Sequence, residues 1–317
     1  MSDHFADDII DRRRLRRKLT FWRVAAVVVT LVCLFAIAYA SMTEEHFGEK
    51  SRPHIAKVKI EGTILEDEAL LGVLKEIGKS EAVKGVILSV DSPGGTTAGG
   101  EAIFDAVRKI AADKPVVAQV GTLAASAGYM IASAADHIIA RQTSIVGSIG
   151  VLVQYPNLTK LLDNVGVDVR TIKSSPLKAE PGMFDEPPPG AEEMIRRMIL
   201  DSYAWFKNLV KDRRGLTDAE ISTLADGSVF TGRQALERKL VDGLGGEEAA
   251  KDWLVSKGID ADLKVVEWKK PAPAGGLFWA RAMANWFGFD LGKKSAAEAI
   301  SQRLLLDGLI SVWHVGR

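Results

Sequence analysis

Cysteine is nearly missing from this chain: Cys33 is the only one in 317 residues. An intramolecular disulfide and a cysteine-built metal site are both excluded, and the sequence calls for no metal and no cofactor. Histidine is almost as scarce, with five. His4, His46, His54 and His314 lie toward the two ends, and only His137 is well inside. His137 follows Asp136 in a short strand-like stretch eleven residues after Ser126, a place that suits an edge histidine better than a catalytic base. A Ser-His-Asp triad is therefore poorly supported. Neither G-x-x-x-x-G-K-[ST] nor G-x-G-x-x-G occurs at the glycine-rich turn, so the usual nucleotide loops are lacking. Charge of one sign is not in excess, since Lys+Arg and Asp+Glu are 41 each. Bulk electrostatics thus gives no argument for a nucleic-acid partner.

What charge asymmetry there is lies near the start. Arg12, Arg13, Arg14, Arg16, Arg17 and Lys18 precede an apolar run, Val24 to Ala40, flanked by Phe21, Trp22 and Tyr39. Basic residues before an apolar stretch with aromatic flanks predict a transmembrane anchor over 21–42. Ala38-Tyr39-Ala40 also fits a signal-peptide cleavage site, but the basic region and apolar run are both long for one. The positive-inside rule then predicts a cytoplasmic tail over 1–20 and an exported remainder, a single-pass protein of a bacterial inner membrane with its main domain periplasmic. Residues 43–54 read as a polar linker.

The main domain is expected over 55–268. Apolar strands and amphipathic helices alternate through it: Ile55–Ile60, a helix carrying Leu70, Leu71, Leu74 and Ile77, a strand at Gly85–Val90, a helix near Ala98–Ala112, and a strand at Pro115–Val120. After these come Ser126 with a small-residue helix, His137–Ala140, a strand near Val167–Lys173, a long helix ending near Arg213 and a small helical subregion over Leu216–Leu244. A last strand is expected at Leu263–Trp268. This alternation predicts an α/β domain with a largely parallel sheet. Pro271-Ala272-Pro273-Ala274-Gly275-Gly276 breaks the composition. The extension 269–317 then carries two amphipathic stretches, one with Trp279 and Trp286, the other with Ile300, Leu304, Leu305, Leu309, Ile310 and Trp313, and reads as helical.

Two junctions could carry chemistry. Asp91-Ser92-Pro93-Gly94-Gly95 ends an apolar strand, and two glycines there let a ligand approach the backbone. Gly121 to Met130 runs from a strand into a helix with Ser126 at the junction. A serine there is either an ordinary N-cap or a nucleophile whose oxyanion finds N–H groups beside it. The sequence around it, Ala124-Ala125-Ser126-Ala127-Gly128, falls one glycine short of a G-x-S-x-G elbow. With a histidine base poorly supported, a lysine-assisted serine is the main alternative.

With these residues in place the chain resembles the signal peptide peptidase A family of serine proteases, of the Clp protease/crotonase-like fold. The resemblance covers roughly Lys57 to Val266. It rests on Asp91–Gly95, Gly121–Met130, Thr143–Val151, Ser174–Lys178 and Val229–Leu236 with Leu240-Val241-Asp242. It implies Ser126 as nucleophile, Lys178 as general base and Ser148 as a hydroxyl that holds the lysine. Gly94 or Gly95, with the Ala127 N–H, would form the oxyanion hole. One departure is visible: Ser175 stands where the family usually has glycine. The resemblance also implies peptide substrates, remnant signal peptides above all, at a membrane. It further implies a homo-oligomeric ring of four to eight copies, in which some members take the lysine from a neighbouring subunit. Two other classes fit the same fold, a crotonase-type acyl-CoA enzyme and a catalytically silent scaffold.

Overall fold

The computed structural model describes residues 19–33, 35, 48, 50–270 and 310–312. Residues up to Pro53 form one compact unit and those from His54 onward a second. In the first, residues 19–33 are helical. Arg23 lies within this run. No helix among the described residues is long and apolar enough to cross a membrane. The anchor expected over 21–42 is therefore not supported, and the single-pass inner-membrane placement built on it is withdrawn. Residues 34 and 36–47, the tail 1–18 and most of the extension 269–317 lie outside the described residues.

The second unit is built on a nine-stranded sheet among the described residues. Its strands are β1 (His54–Ile64), β2 (Val83–Thr96), β3 (Val116–Ala125), β4 (His137–Ala140), β5 (Ile145–Gly147), β6 (Val229–Thr231), β7 (Gly243–Leu244), β8 (Val265–Glu267) and β9 (Ile310–Val312). The main path runs β6-β5-β3-β2-β1-β8, with β4 joining β3 to β7 and β9 added to β2. Only the β5–β6 and β2–β9 pairings are antiparallel, so the sheet is mixed and largely parallel, as the alternation predicted.

Strand residues of period two serve two cores. Ala56, Val58, Val86, Leu88, Val90, Val116, Ala118 and Val120 belong to the larger core, whereas Ile55, Ile87, Val117 and Ile139 pack with Ala250 and Leu254 in the smaller. Helix α1 (Glu68–Lys79) starts where the Asp67 carboxylate accepts from the Leu70 N–H at 3.0 Å, and buries Leu70, Val73, Leu74 and Ile77. Helix α2 (Thr97–Ala111) is capped by Thr96 and buries Ile103, Val107 and Ile110. Between them these helices cover the larger face. Helix α3 (Ala127–Ala132) is buried throughout. It is followed by α4 (Thr159–Val165), α5 (Ala191–Arg214), α6 (Asp218–Leu224), α7 (Gly232–Glu237) and α8 (Glu247–Ser256), the last of which covers the smaller core.

Three expectations fail locally. No strand forms near Val167–Lys173. The 216–244 stretch holds β6 and β7 besides its helices. Within the extension read as helical, Ile310–Val312 is a strand.

Candidate active site

The site grows from the ends of β2 and β3. Ser92 and Ala124 are the last paired positions of the two strands. The Ser92 hydroxyl donates to the Gly62 carbonyl at 2.6 Å and accepts from the Gly94 N–H at 3.1 Å. Both bonds fold the glycine loop tightly, with Gly94 at φ 109°. A Cβ on Gly95 would sit 1.8 Å from the Ile64 carbonyl oxygen, and one on Gly128 would sit 2.8 Å from the Ser92 carbonyl. Only glycine permits this approach, which lays the loop against the start of α3.

At that start stands Ser126, 1% exposed, with φ 57° and ψ −121°. An L-residue in this region of the map is strained by roughly 1–3 kcal/mol. The strain is held by two bonds: the Ser126 N–H donates to the Gly147 carbonyl at 2.8 Å, and the Ser126 carbonyl accepts from the Met130 N–H at 2.9 Å. Although Ser126 occupies the N-cap position, its hydroxyl makes no capping bond to the helix. The Ser126 side chain is thus not a helix cap, and its backbone makes a sharp strand-to-helix turn similar to that of G-x-S-x-G elbows, without that sequence.

Ser148 is brought to the same place. It lies just past β5, also at positive φ, 52°, and its N–H donates to the Ser228 carbonyl at 2.7 Å. Ser126 and Ser148 together line a cleft of about 590 Å³, walled by Ile149, Val151, Leu152, Ile199 and Leu200. Gln154, Tyr203, Asp226 and Gly227 also line it, and the Tyr203 hydroxyl donates to the Ala225 carbonyl at 2.5 Å. The α5 residues of this wall, Ile199, Leu200 and Tyr203, were missed in the sequence, where they fall in a long helix with nothing to link it to Ser126.

Lys178 is not among the residues lining this cleft in the single chain, and it is exposed. Its loop is nonetheless built. Glu180 is buried and paired with Lys173, and its second oxygen accepts from the Gly182 N–H at 2.9 Å. The hydrogen bond from Lys173, with that from Gly182, holds the Glu180 carboxyl below its usual range. Glu180 is therefore committed to Lys173 and the Gly182 N–H. Ala179, next to Lys178, has a positive φ of 60°.

His137 is half-buried, stacked on Trp253 with ring centroids 4.9 Å apart, and 3.8 Å from the Asp242 carboxylate. Arg214 grips the same carboxylate through both terminal nitrogens. These contacts belong to packing, and His137 does not line the Ser126 cleft. Among the described residues no cluster of three or more His, Cys, Asp or Glu is placed to hold a metal ion.

Comparison with known proteins decides the class of this site. The model of peptidase family S49 matches residues 108–259, and that of Clp protease matches residues 62–145. A protease so named provisionally in Synechocystis is 36% identical over 231 residues, which is 71% of this chain and 83% of the relative. A protein of Enterococcus faecium provisionally named signal peptide peptidase SppA is 31% identical over 293 residues, 87% of this chain and 85% of the relative. The chain belongs to peptidase family S49. It is a serine protease of the signal peptide peptidase type. Another relative, Protease 4 of Haemophilus influenzae, is 32% identical over 213 residues, 63% of this chain but only 34% of its own length. The S49 model begins inside α2 and takes in Ser126, Ser148 and Lys178, whereas the Clp match takes in the glycine loop and Ser126.

Proposed function

We propose that this S49 peptidase cleaves extended apolar peptides, remnant signal peptides among them, with Ser126 as nucleophile and Lys178 as general base. The observation that carries this reading is the strained turn at Ser126, opening on an apolar cleft that also holds Ser148. A serine that only capped a helix would have no need of such a backbone.

In the first half-reaction the neutral Lys178 amine takes the Ser126 hydroxyl proton as Oγ bonds to the scissile carbonyl carbon. The oxyanion is met by backbone N–H groups. Gly94 gives its N–H to Ser92, so this role falls to Gly95 together with Ala127, whose N–H opens α3 and has no acceptor within the helix. Collapse breaks the C–N bond, and the lysine ammonium returns its proton to the leaving amine. Water then attacks the ester with the same lysine as base, releasing the acid and restoring Ser126.

A lysine can act as base near neutrality only where water and counter-charges are kept away. In the single chain Lys178 is exposed, so the reading requires that its loop be covered. The surface around it is suited to cover by a second copy. Helix α4 buries no residue, and Leu161, Val165, Val167, Ile172, Met183 and Phe184 are all exposed. Apolar patches of this kind mark association surfaces. A homo-oligomer that brings Lys178 to a serine site, its own or a neighbour's, follows.

Ser126→Ala and Lys178→Ala should each lower kcat for an apolar peptide by at least about 10³-fold without unfolding the chain. Peptidase assays with circular dichroism check both, and an active Ser126→Ala would end the proposal. Co-assembly of the two dead variants reports on the lysine's origin. Recovered activity means that it crosses between subunits, and none means that each chain supplies its own.

A further inference from the structure

The cleft beside Ser126 is walled by aliphatic side chains, and of the described residues that line it only Asp226 carries a charge. That carboxylate is held in place. It accepts from the Ser228 N–H at 2.9 Å, and the Ser228 carbonyl in turn accepts from the Ser148 N–H at 2.7 Å. On its other side the Ala225 carbonyl accepts from the Tyr203 hydroxyl of α5. Gly227, at φ 88°, makes the turn between Asp226 and Ser228. The turn that carries Asp226 is thus tied both to Ser148 and to the α5 wall.

Asp226 is exposed and, among the described residues, belongs to no ion pair. Its bonds with Ser228 hold the carboxyl below its usual range, so it is ionised at neutral pH. A fixed negative charge at an apolar cleft sorts side chains by charge. Lysine and arginine lay their methylene stems on apolar surface and keep the cationic head at a carboxylate or in water. An aspartate or glutamate brings like charge to like and gives up water without gaining a partner.

We propose that Asp226 is a specificity residue of this peptidase, through which the Ser126 cleft accepts a basic side chain as well as apolar ones and turns acidic ones away. The inference rests on the Ser126 reading given above and narrows its substrate class. A remnant signal peptide joins a basic stretch to an apolar run, so it carries such side chains where the two meet.

Apolar peptides in which one position at a time is Lys, norleucine or Glu test this, with the cut located by mass spectrometry. Ratios of kcat/KM between peptides are compared, so that a general change in rate cancels. In the full-length wild-type protein one position near the cut should favour Lys over Glu by about tenfold. Raising salt from about 0.05 M to about 0.5 M should shrink that preference. Asp226→Asn keeps an oxygen for the Ser228 N–H and removes the charge, and the preference should fall to within about twofold. Equal rates for Lys and Glu peptides at every position in wild type, or an unmoved preference in Asp226→Asn, overturns the inference. Labelling of both proteins with a serine-directed phosphonate separates the two readings. Label at Ser126 with an unmoved preference removes the role of Asp226 alone, whereas no label at Ser126 in wild type removes the nucleophile and that role with it.

Discussion

Among the described residues, three of the four non-glycine positions at positive φ are Ser126, Ser148 and Ala179, two candidate site residues and the neighbour of a third. Such strain persists only where surrounding structure over-determines it. At Ser126 the constraints are the Gly147 carbonyl on one side and the start of α3 on the other. Glycine adopts this backbone freely, so Ser126→Gly should stabilise the fold by roughly 1 kcal/mol while abolishing peptidase activity. Denaturant titration beside Ser126→Ala checks it, since alanine removes the hydroxyl and keeps the strain. The position of Ser126 was legible in the sequence from the change of strand pattern into small helix formers. Its φ was not, because the residues that impose it come from β5 and from the packing of Gly128 on Ser92. Lys178 was singled out by the family resemblance alone. Nothing in Ser174–Lys178 signals that the single chain leaves this lysine exposed.

The loop that carries Lys178 is held by the half-buried Lys173, which pairs with the buried Glu180 and lies 3.8 Å from Asp185. Lys173→Met should leave the Glu180 carboxylate buried without its cation. It should lower the thermal midpoint and the peptidase rate together, and Lys173→Arg should restore both. Thermal scans and initial rates on the three proteins check this. The pair also explains an error in the sequence reading. Val167–Lys173 has the alternation of a strand but finds no partner strand, and its last residue serves Glu180 instead. Elsewhere the alternation of strands and helices was read correctly, since most apolar residues of β1, β2 and β3 are buried in one core or the other. The ends of elements were less legible. β2 continues through Asp91–Thr96, although the proline and glycines of that stretch read as a turn. Parallel neighbours keep the backbone extended there, a tertiary effect with no local signature.

The whole molecule carries a pH dependence outside the catalytic cleft. Burial is the chief cause that pushes the His137 imidazole below its usual pKa, with Arg214 and Lys257 acting the same way and Asp242 opposing. A histidine with a depressed folded-state pKa binds protons more readily in the unfolded chain. Stability should therefore decline as pH falls through about 6.5, and level off below the folded-state value. His137→Phe keeps a ring against Trp253 and should lose this dependence, so that its thermal midpoint changes less than wild type between about pH 7.5 and about pH 5. Equal slopes for the two proteins would assign the decline to other groups.

The proposed assembly belongs to the same scale, because the proposed lysine base must be covered and the exposed apolar residues within 161–184 offer the means. The account stands or falls on Ser126 activated by Lys178. The most direct measurement is mass-spectrometric mapping and timing of phosphonate labelling on the full-length protein. Label confined to Ser126, forming at least about 100-fold more slowly in Lys178→Ala, is the predicted result. Label on another residue, or an unchanged rate at Ser126 without Lys178, would contradict it.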